Sequence, residues 1–299
     1  LLKVGEILST MRKLIRTLLS LLIIVTPITA NVGRESTTVA QAKEPGAWWP
    51  ASGAVILAGG GLQNDTADNF IDRLIALAGG PEAPIVIIPT AWDGLPAELP
   101  GDGPEPARIA PLRKHLESRG ARHVAFLHTR DRQVANSEVF VKILQSAKGV
   151  FFTGGASRVL DETYHGTLVE RELKALLKRG GVVAGDSAGA ITIGCFWLGW
   201  SSPTSGLGKI TDGLCLLPSV TVSPHAQRMG GEWTDEISKY VSAHPPVVGI
   251  NIDEDTALVL KSSTAEVLGK KGVTFFNAGG KSARGLLRLA AGERHDFAK

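Results

Sequence analysis

Gly180-Gly181-Val182-Val183-Ala184-Gly185-Asp186-Ser187-Ala188-Gly189-Ala190 reads as a short apolar strand, a sharp turn with one Ser at its tip, and a helix start made of small residues. Such a turn holds a hydroxyl at the carboxyl end of a buried strand. Gly185 and Gly189 allow the tight bend, and the first N–H groups of the next helix face whatever negative charge develops there. A Ser that merely caps a helix carries the same local sequence, so the elements around the turn must decide.

Those elements alternate. Val55 to Ala58, Ile85 to Ile88, Val124 to Leu127, Gly149 to Phe152 and Val182 to Ala184 are short apolar runs that read as five strands. Between them, Ala67 to Ala78, Ala107 to Arg119, Ser137 to Ala147 and Ser157 to Arg179 carry helical periodicity, the last interrupted near His165-Gly166. The pattern predicts an α/β fold: a mostly parallel, doubly wound sheet with helices on both faces and the Ser187 elbow after the fifth strand. Sites in such sheets lie at the carboxyl ends of strands, so the loops at Gly59, Thr90, Gly154 and Ser187 share one rim. After the elbow, Trp197 to Ser205 reads as a loop. Val220 to Val222 and Val247 to Ile252 read as strands, Glu232 to Tyr240 as a helix, and Ala257 to Leu260, Glu266 to Leu268 and Val273 to Phe276 as short antiparallel strands.

A Ser hydroxyl needs a base, and the base needs an orienting partner. Of seven His, His225 has the best context, directly after an apolar strand and Pro224. The acid is expected at a strand end. Glu254 follows Val247 to Ile252, with Asp253 a competing candidate beside it. The N–H of Ala188 and the Gly154-Gly155 turn are the candidate oxyanion donors. Gly59-Gly60-Gly61 does not complete a dinucleotide-binding pattern, because that pattern fails at Asn64.

A net charge of +3 over 299 residues gives no argument for nucleic acid, and the basic residues of the last forty positions are spread singly, as on a solvated surface. No Cys/His cluster has metal-ligand spacing. Cys195 and Cys215 can pair or simply be buried. The first 42 residues have the order of a secretory signal: a basic start at Met11-Arg12-Lys13 and Arg16, an apolar run to Ile28, and small residues suited to cleavage after Ala30 or Ala42. An uncleaved anchor is the alternative, although the run is short for a span of about 20 residues. Residues 43–299 are then one domain, exported and without stable membrane association.

Thr153-Gly154-Gly155, then Gly185-Asp186-Ser187-Ala188-Gly189-Ala190, then Ser223-Pro224-His225, then Gly249-Ile250-Asn251-Ile252-Asp253-Glu254-Asp255-Thr256-Ala257-Leu258 together resemble the cyanophycinase/dipeptidase E family of serine peptidases, over roughly Ser52 to Phe276. The resemblance implies a class I glutamine-amidotransferase-like, flavodoxin-like fold. It implies a Ser–His–Glu triad of Ser187, His225 and Glu254, oxyanion contacts from Gly155 and Ala188, no metal or cofactor, a peptide or polyamide substrate, and a homodimer. The chain departs from the cyanophycinase pattern in four places: Ala156-Ser157 after the Thr-Gly-Gly turn, Asp186 in place of the more usual Thr or Trp before Ser187, Ser223-Pro224 before the His, and Gly230-Gly231 where further Arg are expected. Ser157, Arg158 and Arg228 are the substrate-binding candidates, the two Arg as carboxylate ligands or as surface ion-pair residues. An α-aspartyl dipeptidase, a carboxylesterase and a non-catalytic binding member of the family are the rival readings.

Overall fold

The computed structural model describes residues 48–50, 52–96, 107–200, 207–278 and 285–299. The expected signal segment lies outside them. Among the described residues no helix is long and apolar enough to cross a membrane.

Five strands come as the alternation predicts: β1 (Ala54–Ala58), β2 (Ile85–Ile88), β3 (Val124–Phe126), β4 (Gly149–Phe152) and β5 (Val182–Asp186). They pair in parallel in the order β1-β5-β4-β2-β3. Three more strands, β10 (Thr256–Lys261), β11 (Thr264–Gly269) and β14 (Arg294–Asp296), extend the sheet antiparallel beyond β1, to eight strands.

Successive residues of β1, β2, β4 and β5 enter different cores, which is what burial on both faces requires. Ile56, Ile85, Ile87, Phe151 and Ala184 pack with Phe70, Ile71 and Leu74 of α1 (Asn64–Ala78) and Leu116 of α2 (Ala110–Ser118). Leu57, Val86, Ile88, Phe152 and Val183 face the other way. There they meet Leu144 of α4 (Glu138–Ser146), which follows the short α3 (Arg132–Ala135), together with Leu160 of α5 (Ser157–Tyr164) and Leu173 of α6 (Leu168–Lys178). The expected break at His165-Gly166 is the boundary between α5 and α6. Ala190 and Ile193 of α7 (Ala188–Ile193), the helix after the elbow, join the same core.

In the second half of the chain the expected strands and helix form, and one stretch differs. Part of Trp197 to Ser205, expected as a loop, belongs to a hairpin of β6 (Phe196–Trp200) and β7 (Leu207–Asp212). A second sheet forms in the order β13-β12-β9-β8 from β8 (Val220–Ser223), β9 (Val248–Ile252), β12 (Gly272–Phe276) and β13 (Leu286–Ala290). Its β8 and β9 run parallel. One face adds Val248, Ile250 and Phe275 to the main core. The other carries Phe276 and is packed by Ile237 and Val241 of α8 (Ala226–Ala243), a helix kinked at Gly230. Trp48 is buried against Phe275 and Phe297, with ring centroids 5.9 and 4.8 Å away. Cys195 and Cys215 form a disulfide, which closes the alternative left open by their apolar surroundings.

Candidate active site

The two sheets deliver the three candidate side chains from three strand ends. β5 runs parallel beside β1, with Asp186 opposite Ala58, and the Ser187 N–H donates to Ala58 O at 3.0 Å. The next step of the chain is strained. Ser187 has φ 51° and ψ −112°, outside the regions a side chain prefers, which lifts its hydroxyl off the strand end. His225 follows β8 with φ 55° and initiates α8. Glu254 follows β9. Because β8 and β9 are parallel neighbours, His225 and Glu254 leave the second sheet on the same side.

The geometry is a continuous hydrogen-bonded chain. Ser187 Oγ lies 2.8 Å from His225 Nε2, and His225 Nδ1 lies 2.7 Å from Glu254 Oε1. Arg228 donates to the same Oε1 at 3.1 Å. The His225 bond, assisted by Arg228, holds the Glu254 carboxyl below its usual range, so Glu254 is ionised where His225 needs an acceptor. Gln227 fixes the acid loop, its Oε1 accepting from the Glu254 N–H at 2.8 Å.

Gly59-Gly60-Gly61 has a role that sequence reasoning missed. Gly59 O accepts from the His225 N–H at 2.9 Å, and Gly60 O accepts from the Asp255 N–H at 3.0 Å. The turn therefore ties the main sheet to both loops of the second one. Gly60 has φ 84°, and a Cβ there would stand 2.1 Å from His225 Cε1. The imidazole lies directly on this backbone, which only Gly permits. The sequence showed three glycines at a strand end, but the ring that covers them comes from 165 positions later.

Thr153-Gly154-Gly155 reaches the same rim. A Cβ on Gly154 would lie 3.2 Å from Ser187 Cβ, and Gly155, at φ 134°, has Ala91 O where its own Cβ would be. Ala188 is the first residue of α7, so its N–H has no partner within the helix. Among the described residues neither this N–H nor that of Gly155 has an intramolecular acceptor. Ala188 follows Ser187 directly, and Gly155 follows the Gly154 backbone that lies against the Ser187 side chain. Asp186, just before it, has one carboxyl oxygen buried without a hydrogen-bond partner. Burial pushes its pKa up to about 6, against the opposing influence of His225 and of the Gly60 and Ser187 N–H groups.

A model of peptidase family S51 matches residues 55–268. The chain belongs to this family. A cyanophycinase of Nostoc sp. is 31% identical over 231 residues, 74% of this chain and 72% of its own. A cyanophycinase of Geminocystis herdmanii is 29% identical, over 74% of this chain and 79% of its own. Among solved structures, a peptidase from an acI-B1 actinobacterium is similar with a TM-score of 0.62 at 25% identity, over 84% of this chain and 98% of its own.

In this S51 chain the three consecutive acids have separate destinations. Asp253 pairs with Arg288 at 2.7 Å, Asp255 accepts from the Gln63 N–H at 2.9 Å, and Glu254 alone faces His225. The other six His hold positions elsewhere. His128, for example, bridges Thr90 and Pro96 O at 2.8 Å each. Arg158 pairs with Glu162 one turn along an exposed helix face, while Arg228 spends a donor on Glu254. Ser157 is the first residue of α5, half-buried and two positions beyond Gly155. No group of three or more metal-ligating side chains occurs among the described residues.

Proposed function

We propose that this chain is an exported serine peptidase that cleaves amide bonds of aspartyl peptides, including the β-linked aspartate–arginine polymer cyanophycin, through an acyl-enzyme on Ser187. The observation that carries the proposal is the unbroken chain from Ser187 Oγ through His225 to Glu254, at 2.8 and 2.7 Å.

In this mechanism His225 Nε2 takes the Ser187 proton as Oγ attacks the scissile carbonyl carbon. The carbonyl oxygen becomes an oxyanion held by the Gly155 and Ala188 N–H groups. Glu254 stabilises the imidazolium through Nδ1, and Arg228 keeps the carboxylate ionised and oriented. His225 then gives its proton to the leaving amine, the C–N bond breaks, and the acyl group stays on Ser187. Water, deprotonated by His225, attacks the ester carbonyl and releases the acid. The aspartyl preference rests on the named activity of the cyanophycinase relatives.

The test is hydrolysis of cyanophycin, β-aspartyl-arginine and α-aspartyl dipeptides side by side, with fluorophosphonate labelling of the protein. The expected result is labelling at Ser187 that vanishes in Ser187→Ala and His225→Ala, with release of free amine from at least one aspartyl substrate. Folded protein that does not label refutes the nucleophile. Labelling with turnover of aryl esters but of no peptide moves the reading to a carboxylesterase. Export and a homodimeric state belong to the same proposal. N-terminal sequencing of exported protein is expected to begin at Asn31 or Lys43, and light scattering is expected to give twice the chain mass.

A further inference from the structure

The second sheet carries a row of polar residues where an apolar one would be expected. Pairing register places Ser223, Asn251, Thr274 and Arg288 side by side on β8, β9, β12 and β13. Two residues along, the same face carries Thr221, Gly249, Phe276 and Leu286, and Phe276 packs with Ile237 and Val241 of α8. The first turns of α8 do not cover the polar row in the same way. The helix breaks at Gly230, which has φ 78° and ψ 175°, and Gly230 and Gly231 leave open space where side chains would stand. A cavity of about 340 Å³ results, lined by Gln227, Gly231, Asn251, Asp253, Thr274 and Arg288 among others.

The lining is unsatisfied in a patterned way. Asn251 is only 3% exposed, yet its buried Oδ1 accepts no hydrogen bond. An unmade bond at a buried amide costs about 1–3 kcal/mol, so this stretch of the sheet is held at a cost. Asp253 Oδ2 accepts from Arg288 at 2.7 Å and from the Gly272 N–H at 3.3 Å, and its Oδ1 takes no bond among the described residues. Arg288 also donates to Thr274 at 2.8 Å. Among the described residues two of its five N–H donors are then used, which leaves donors for an anion. The side chain is 56% exposed, so the guanidinium stands at the mouth and Asn251 inside.

We propose that this cavity binds the zwitterionic head of an α-amino acid. The ammonium donates to Asp253 Oδ1, and the carboxylate accepts from Arg288. One fixed negative and one fixed positive group face a ligand that carries one of each, and the volume lies within the range of small-molecule pockets. The site is separate from Ser187 but linked to its partners. Gln227 lines it and holds the Glu254 N–H, and Asp253 immediately precedes Glu254. A free amino acid and the zwitterionic end of a peptide substrate present the same chemistry.

The test is calorimetric titration of the full chain bearing Ser187→Ala with L-arginine, L-aspartate and L-alanine. Each amino acid is also compared with its amide, which lacks the carboxylate, and its 2-hydroxy acid, which lacks the ammonium. The expected result is saturable binding of at least one amino acid, weakened at least about tenfold in both analogues, a difference of about 1.4 kcal/mol. Gly231→Leu fills the cavity without removing a native contact and removes a helix-interior Gly, so it is expected to fold and to abolish binding. Arg288→Gln is expected to weaken the amino acid but not its amide. No saturable binding up to about 10 mM, a bound free energy weaker than about 3 kcal/mol, overturns the proposal. Binding that survives Gly231→Leu in folded protein overturns it equally. Competition between the amino acid and fluorophosphonate in wild-type protein identifies the substrate end as the natural occupant. Binding without competition identifies a free amino acid. Both leave the pocket assigned.

Discussion

Gly60→Ala should disable the site without unfolding the protein, and the size of the effect can be worked out. A Cβ at Gly60 would stand 2.1 Å from His225 Cε1, 2.6 Å from Nε2 and 2.9 Å from Nδ1. Ordinary contact begins near 3.4 Å, so the ring must retreat by about 1.3 Å. Nε2 sits 2.8 Å from Ser187 Oγ, and a retreat of that size breaks the bond. Misplacing a reacting group by about 1 Å costs on the order of 10²-fold, and losing a general base costs about 10²- to 10⁴-fold. Gly61→Ala is the control. It too has positive φ, 58°, but its Cβ would meet the Glu254 side chain at 3.4 to 3.6 Å, which is ordinary contact. Both variants bear the left-handed backbone cost of about 1–2 kcal/mol, and only Gly60→Ala displaces the imidazole. The assay is the rate of fluorophosphonate labelling of Ser187, which needs no knowledge of the substrate, with thermal melting to match stability. Gly60→Ala should label about 10²- to 10⁴-fold more slowly and Gly61→Ala within about tenfold of wild type. If folded Gly60→Ala labels at the native rate, the argument that this turn seats His225 is wrong. If both variants slow equally at equal stability, the backbone conformation and not the clash is responsible.

Three further outcomes are expected. Glu254→Gln should slow labelling by about 10²- to 10⁴-fold, whereas Asp253→Asn should slow it less than tenfold and instead lower the melting temperature, because Arg288 and the Gly272 N–H lose their charged acceptor. Asp186 titrates near 6 in the folded protein and at 3.8 ordinarily, so the native state holds the extra proton between those values. Stability therefore falls as pH rises from about 4 to above 6, by up to about 3 kcal/mol, and Asp186→Asn should be stabilising at pH 8 and neutral at pH 3 by chemical denaturation. Glu266, bonded by Arg73 at 2.6 and 2.9 Å and paired with Arg294 at 3.0 Å, is lowered from 4.5 to about 2. Its contribution is present above pH 4.5 and lost as pH falls through 2, so Glu266→Gln should cost about 2 kcal/mol at pH 7, discounted for the exposure of Arg294, and little at pH 2. Equal costs at both pH values would refute the ion-pair account.

Local pattern determined much of this protein by itself. Apolar runs of four or five residues, alternating with helical periodicity, are enough to require a parallel sheet buried on both faces, and the Gly-x-Ser-x-Gly turn after the fifth run marks the rim where Ser187 stands. The candidates Ser187 and His225 were legible because each follows an apolar strand directly, so strand direction alone places them at an edge. The tertiary structure decided what depends on residues far apart in the chain. Asp253, Glu254 and Asp255 are equivalent in the sequence, and only the placement of Arg288, His225 and Gln63 around them gives each its own partner. Trp197 to Ser205 looked like a loop because its strand content shows only when β6 meets β7. The glycines after β1 carried no readable meaning until an imidazole from the second sheet was laid on them, since the reason for a missing Cβ is whatever occupies its place. The elbow around Ser187 is written in eleven consecutive residues, but the imidazole hydrogen-bonded to it is seated by a turn more than a hundred positions earlier.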